Sequence, residues 1–255
     1  MNNTWENKAR IMKMVVLPML IMIFLSISTS TTGSEANKME NQHPLTRRQQ
    51  CIIPIAAFTA DGDMDRLKPA LNKGLDDGLT VNEIKEVLVH LYAYTGFPRS
   101  LNALSAFMDV VDGRRARGIE DVQGKEAGPV PSDLDRDAYG AKVRAKLAGR
   151  ETDISGAPWQ IFSPAMDMFL KEHLFADIFV RDVISHKDRE LATIAALSNM
   201  KGTGGQLGFH LGAAMNTGLT KAQMEDFISV LKTTVGKTQA ESAQKILTDV
   251  LSERD

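Results

Sequence analysis

Helical periodicity runs through most of the chain from Thr46 onward. In "VNEIKEVLVHLYAYTG", Ile84, Val87, Leu88 and Leu91 fall at the i, i+3, i+4, i+7 spacing that lines one face of a helix. Thr80 stands three residues ahead of Glu83, the pairing of a capping box, so the spacing predicts a helix that begins after Thr80 and ends at Gly96 and Pro98. "RDAYGAKVRAKLAG" and "SPAMDMFLKEHLFADIFV" predict further helices. The alternating polarity of strands is nearly absent, and an all-α fold is expected.

The pattern also repeats. "GLTVNEIKEVLVHLYAYTGFPRSLNALSAFMDVV" from Gly78 aligns with "GLTKAQMEDFISVLKTTVGKTQAESAQKILTDVL" from Gly218, an offset of 140 residues. Ile84, Val87, Leu88 and Leu91 then meet Met224, Phe227, Ile228 and Leu231, and Gly96 meets Gly236. Upstream, "PIAAF" at Pro54 matches "TIAAL" at Thr193 with an offset of 139. Each copy is a small unit of a helix, a Gly-rich turn, a second helix ending at "GLT" and a third helix, and two such units can bury their faces on each other. The expected organisation is a first repeat over 46–112, a linker and connecting helix over 113–156, and a second repeat over 157–252. The linker begins as "DGRRARGIEDVQGKEAGPVPSD", which has Gly, Pro and charge but no apolar period.

Composition narrows the class. With 43% hydrophobic and 24% charged residues, 255 residues suffice for a sizeable core, so disorder is excluded. The net charge of −2 comes with scattered basic residues, which argues against nucleic acid as a partner. At the N-terminus, Lys8, Arg10 and Lys13 precede "MVVLPMLIMIFLSIS", short for a membrane span and soon followed by Ser and Thr. Residues 1–36 read as a signal peptide with cleavage after Ala36 or a few residues earlier, the alternative being an uncleaved membrane anchor. The folded part is then exported, to a periplasm or beyond. The lone cysteine, Cys51, permits neither an internal disulfide nor a CxxC pair.

"EIKEVLVHLYAYTGFPRSLNAL" in the first copy and "RELATIAAL…GFHLGAAMNTGLT" in the second resemble the carboxymuconolactone decarboxylase family, whose relatives include the alkylhydroperoxidase D-like proteins. The resemblance covers roughly 46–112 and 157–252 and implies two alkylhydroperoxidase D-like helical repeats packed together, assembled into a homo-oligomer. In the peroxide-reducing branch a glutamate is followed by CxxCxxxH. Glu190 fits that glutamate and His210 the motif histidine, but Thr203 and Gln206 hold the cysteine positions, and neither forms a thiolate. In the first copy Cys51 and Ala70 stand where the second has Glu190 and His210. Conversely His90, Tyr94 and Arg99 have Val230, Thr234 and Gln239 as counterparts. The two copies are complementary halves, which points to a pocket shared between copies or subunits.

The decarboxylase branch implies a small carboxylated lactone or related acid as substrate. Losing carbon dioxide from it requires a held carboxylate, a stabilised dienolate and a proton delivered to carbon. Arg99 is the candidate clamp for the carboxylate. His210 is the candidate proton donor, because histidine titrates near neutral pH, with Glu190 orienting it. Tyr94 or His90 is placed to donate to the lactone carbonyl. This chemistry needs no metal or organic cofactor. Each residue also has a structural reading: His210 and His90 as satisfied core groups, Glu190 at a helix start, Arg99 as a cap or interface ion pair, Cys51 as a small buried hydrophobe, and His173 as packing. Two other functions compete, a non-catalytic oligomeric scaffold and a peroxide-handling protein that uses Cys51 alone. Export shifts the expected substrate toward a different lactone or β-keto-type acid. Mass spectrometry of the exported protein is expected to find a chain that begins at or shortly before Asn37. An intact Met1 end on a membrane-bound protein would establish the anchor instead.

Overall fold

The computed structural model describes residues 44–254, and the expected signal segment therefore lies outside the described residues. In chain order the helices are α1 (Arg47–Asp61), α2 (Met64–Asp76) and α3 (Val81–Ala116), then α4 (Arg136–Leu147), α5 (Pro158–Phe162) and α6 (Pro164–Met168). A π-helical segment, Phe169–Ile178, follows. The chain closes with α7 (His186–Ser198), α8 (Gly204–Asn216), α9 (Lys221–Thr234) and α10 (Lys237–Ser252). No strand occurs among the described residues, and the fold is all-α. None of the described helices is long and apolar enough to cross a membrane.

The sequence repeat is also a repeat of structure. The start of α1 at Arg47 recurs 139 residues on as the start of α7 at His186. Both ends of α2 recur 140 residues on as the ends of α8, and the start of α3 recurs at that offset as the start of α9. Thr80 and Thr220 cap the equivalent helices in the same way, each accepting from the backbone N–H three residues on while Glu83 or Gln223 bonds back. The helix that begins at Val81 ends at Gly96 as expected: its φ of 78° and ψ of 158° are non-helical and lie in a region open essentially to glycine alone, and a second helix, the second limb of α3, continues to Ala116. In the second repeat the same place, Gly236, separates α9 from α10.

The centre of the molecule is α1 against α7. Residues Cys51 through Ala60 of α1 and Arg189 through Leu197 of α7 are buried without interruption, so these helices are enclosed on all sides. α2 and α3 pack beside α1, and α8 packs beside α7. The segment between the repeats is tied down. Carbonyls of Val122 and Gln123 accept from the first N–H groups of α3, Val81 and Asn82, both at 2.9 Å. α4 then lies against the π-helical segment so closely that a Cβ at Gly140 would stand 1.9 Å from the Lys171 carbonyl oxygen.

One ion-pair network crosses between the repeats. Glu86 on α3, 2% exposed, accepts from Arg189 on α7 at 2.6 Å and from Arg181 at 2.8 Å. Burial pushes the Glu86 carboxyl up, but the hydrogen bonds from Arg181 and Arg189 and their charges outweigh it and hold it below its usual range. Glu86→Gln leaves the fully buried Arg189 without its counter-charge and is expected to cost about 3–5 kcal/mol in denaturant unfolding. A cost under about 1 kcal/mol would mean that the network is not what joins the repeats.

Candidate active site

Glu190 is on α7 and His210 on α8, twenty residues apart in sequence and adjacent in space. His210 Nδ1 lies 2.7 Å from Glu190 Oε2, with Glu190 fully buried and His210 6% exposed. A carboxylate only accepts, so Nδ1 carries the proton and Nε2 is the nitrogen left for exchange. His210 lines a cavity of about 600 Å³, and Nε2 has no protein partner among the described residues. Thr203 and Gln206 line the same cavity two turns and one turn before His210. They occupy the positions that cysteines hold in the peroxide-reducing motif, and thiol chemistry is absent from this wall.

The opposite wall comes from the first repeat. Glu86, His90 and Tyr94 recur every four residues along α3 and so share a face. Tyr94 reaches the cavity, its ring edge-on to His210 at 5.4 Å between centroids. Its hydroxyl is sealed from solvent without a hydrogen-bond partner among the described residues. Burial and the Glu190 charge push that phenol well up, so it remains a donor. His90, expected among the catalytic groups, does not reach the cavity: it is fully buried behind Tyr94, ring centroids 5.3 Å apart. The Thr193 hydroxyl donates to the Arg189 carbonyl at 2.9 Å, so it accepts from His90 Nε2 at 2.8 Å and leaves Nδ1 unprotonated. His90 thus positions α3 against α7. Arg99, expected to clamp a carboxylate, is also not brought to the cavity; it is exposed on the second limb of α3, beyond the break at Gly96.

A third wall was not foreseen. The linker supplies Arg144 and Ile154, and the opening of the second repeat supplies Trp159, Leu170, Leu174 and Phe175. The π-helical winding gives three of these. Arg144 is 3% exposed and each of its three nitrogens is engaged, donating to Asp153 at 2.7 and 2.6 Å and to Asp167. Its guanidinium is held further up by those carboxylates, the Asp153 hydrogen bond first.

The first repeat has an equivalent cavity of about 570 Å³, lined by Cys51, Ala70, Val230 and Thr234 where the site described above has Glu190, His210, His90 and Tyr94. It lacks the acid and the histidine. Burial, followed by the hydrogen bond to Asp77 at 3.2 Å and the charge of that carboxylate, pushes the Cys51 thiol up to about 12. The thiolate that peroxide attack needs is therefore not available at Cys51. His173 is half-exposed and bonded to Asp177 at 2.9 Å, away from the cavity lining.

A family model described as the carboxymuconolactone decarboxylase family matches residues 32–109 and 164–249, more than half of the chain and once in each repeat. No curated protein matches the chain.

Burial, then the charges of Arg189 and His210, holds the His90 imidazole well below its ordinary 6.5, and burial does the same to His186. The unfolded chain binds these protons more readily, so the stability is fully present above about pH 6.5 and is lost as pH falls below it. Thermal unfolding at about pH 5.5 is expected well below that at about pH 7.5, and His90→Gln should shrink the difference without removing it, because His186 remains. An undiminished difference in the variant would contradict this assignment.

Proposed function

The chain belongs to the carboxymuconolactone decarboxylase family, and from that premise we propose a cofactor-free acid/base enzyme that forms and protonates an enolate of a small carbonyl or lactone compound. The observation that carries this reading is the Glu190–His210 pair at 2.7 Å beside a cavity, with one ring nitrogen bound to the carboxylate and the other free. His210 Nε2 removes a proton from carbon next to the carbonyl. The C–H electron pair moves into a new C=C bond, and the carbonyl π pair moves to oxygen. Glu190 stabilises the imidazolium that forms, and the Tyr94 ring, edge-on to His210, holds the imidazole in place. Nε2–H then returns the proton to the same or a conjugated carbon. A decarboxylase enters the same enolate by losing carbon dioxide, and its second half is identical.

The reading extends to assembly and place. Phe97, Leu101 and Met108 are exposed along the second limb of α3, where the equivalent positions of α10 are Lys237, Glu241 and Thr248. The apolar version of this face supports burial against another copy of the chain. Action outside the cytoplasm rests on the pattern of residues 1–36.

The test is incubation in deuterium oxide with enolisable lactones, α-angelica lactone and γ-carboxymuconolactone among them, followed by NMR for isomerisation, deuterium uptake or carbon dioxide loss. Wild type is expected to turn over at least one of them. His210→Ala should abolish this turnover, and Glu190→Gln should lower kcat by about 10²–10⁴-fold. Turnover that survives His210→Ala, or none by wild type on any lactone, would sink the proposal.

A further inference from the structure

The cavity beside His210 is built for one kind of molecule, and the charges around it decide which. Apart from His210, Arg144 is the only charged side chain in its lining. A carboxylate entering the cavity would need that guanidinium, but all of its directed hydrogen bonds serve Asp153 and Asp167. The three together carry a net charge of −1, and Glu190 adds another carboxylate behind His210. Arg99, the other candidate cation, is outside. An anion in this cavity would lose its hydration, gain no free cation and face a surplus of negative charge. The rest of the lining is mainly hydrocarbon and aromatic, including Leu170, Leu174, Phe175, Leu197 and Phe209. Among the described residues, the lining groups without a protein hydrogen-bond partner that face the cavity are few, His210 Nε2, the Gln206 amide and the Trp159 indole N–H, while the orphaned Tyr94 hydroxyl is sealed beneath the surface. An apolar chamber with a few convergent polar groups is the usual form of a site for an uncharged organic ligand.

We propose that the cavity takes a neutral, largely apolar carbonyl compound, such as an alkyl-substituted lactone, and discriminates against its carboxylate forms. The apolar part of the ligand fills the space between Leu174, Phe175 and Phe209, with its carbonyl end toward His210. The inference rests on the acid/base reading of His210 for chemistry, but not for binding. It makes proton transfer, rather than loss of carbon dioxide, the reaction of this site.

Calorimetric titration separates the two claims, because it reads binding without turnover. The probes are γ-nonalactone and its ring-opened form, 4-hydroxynonanoate, which share a carbon skeleton and differ in charge. Wild-type protein is expected to bind the lactone at least about tenfold more tightly than the carboxylate. Asp153→Asn combined with Asp167→Asn releases the Arg144 charge and should narrow or reverse that preference. Should the double variant fail to fold, Leu170→Arg places a free cation in the partly exposed part of the lining and should shift the preference in the same direction. Equal or tighter binding of the carboxylate by wild type would overturn the proposal, as would failure to bind either probe at millimolar concentration. Selective lactone binding without turnover would leave the ligand class standing and count against the acid/base reading alone.

Discussion

A carboxylate from one repeat holding a buried guanidinium from the other is the constraint on which the rest of the architecture depends. Glu86 and Arg189 meet at 2.6 Å with 2% and 0% of their side chains exposed, at the junction of α3 and α7. A buried charge without its partner is costly, so α7 is held at the rotation relative to α3 that brings Arg189 Nη2 to Glu86, although Nε and Nη1 have no hydrogen-bond partner among the described residues. That rotation also fixes the next residue. Glu190 follows Arg189 by about 100° around the helix and is turned away from Glu86 toward α8, where it meets His210. Thr193, one turn on, meets His90. The acid/base pair and its tyrosine wall therefore follow from the same packing that joins the repeats.

The two repeats keep one backbone plan and divide the chemistry. Where the second has Glu190 and His210, the first has Cys51 and Ala70; where the first has His90 and Tyr94, the second has Val230 and Thr234. Because the repeats interlock, residues from both contribute to both cavities. One cavity has collected the acid, the histidine and the tyrosine, and the other has none of the three. The linker and the opening of the second repeat then add a largely apolar wall to the cavity beside His210. A low-dielectric enclosure strengthens a fixed carboxylate–imidazole pair, and at the same time disfavours an unpaired anion.

The periodicity of Ile84, Val87, Leu88 and Leu91, and the Thr80–Glu83 cap, were legible because they are local, and they recur as α3 and its N-terminus. The repeat was legible because its offset is nearly constant. Gly96 was legible as a helix end because its interruption is local, and a second helix follows it directly. Glu190 and His210 were legible through their match to a motif, and Tyr94 through its contrast with Thr234. The network of Glu86, Arg181 and Arg189 was missed, although the four-residue spacing of Glu86, His90 and Tyr94 places one acid on the face of two residues already singled out. Arg144 was beyond reach: its aspartates lie nine and twenty-three residues away, and their pairing depends on how α4 meets the segment after it. For the same reason Arg99 looked better placed than it is, since Gly96 sends the second limb of α3 away from the cavity.

The central claim is that Glu190 fixes the tautomer of His210 so that Nε2 serves the cavity. Long-range proton–nitrogen NMR of histidine-labelled protein reads this directly. The account predicts that neutral His210 is protonated on Nδ1, that Glu190→Gln disturbs this state, and that a ligand filling the cavity shifts the Nε2 resonance and not that of His90. A His210 protonated on Nε2 and indifferent to Glu190→Gln would contradict it.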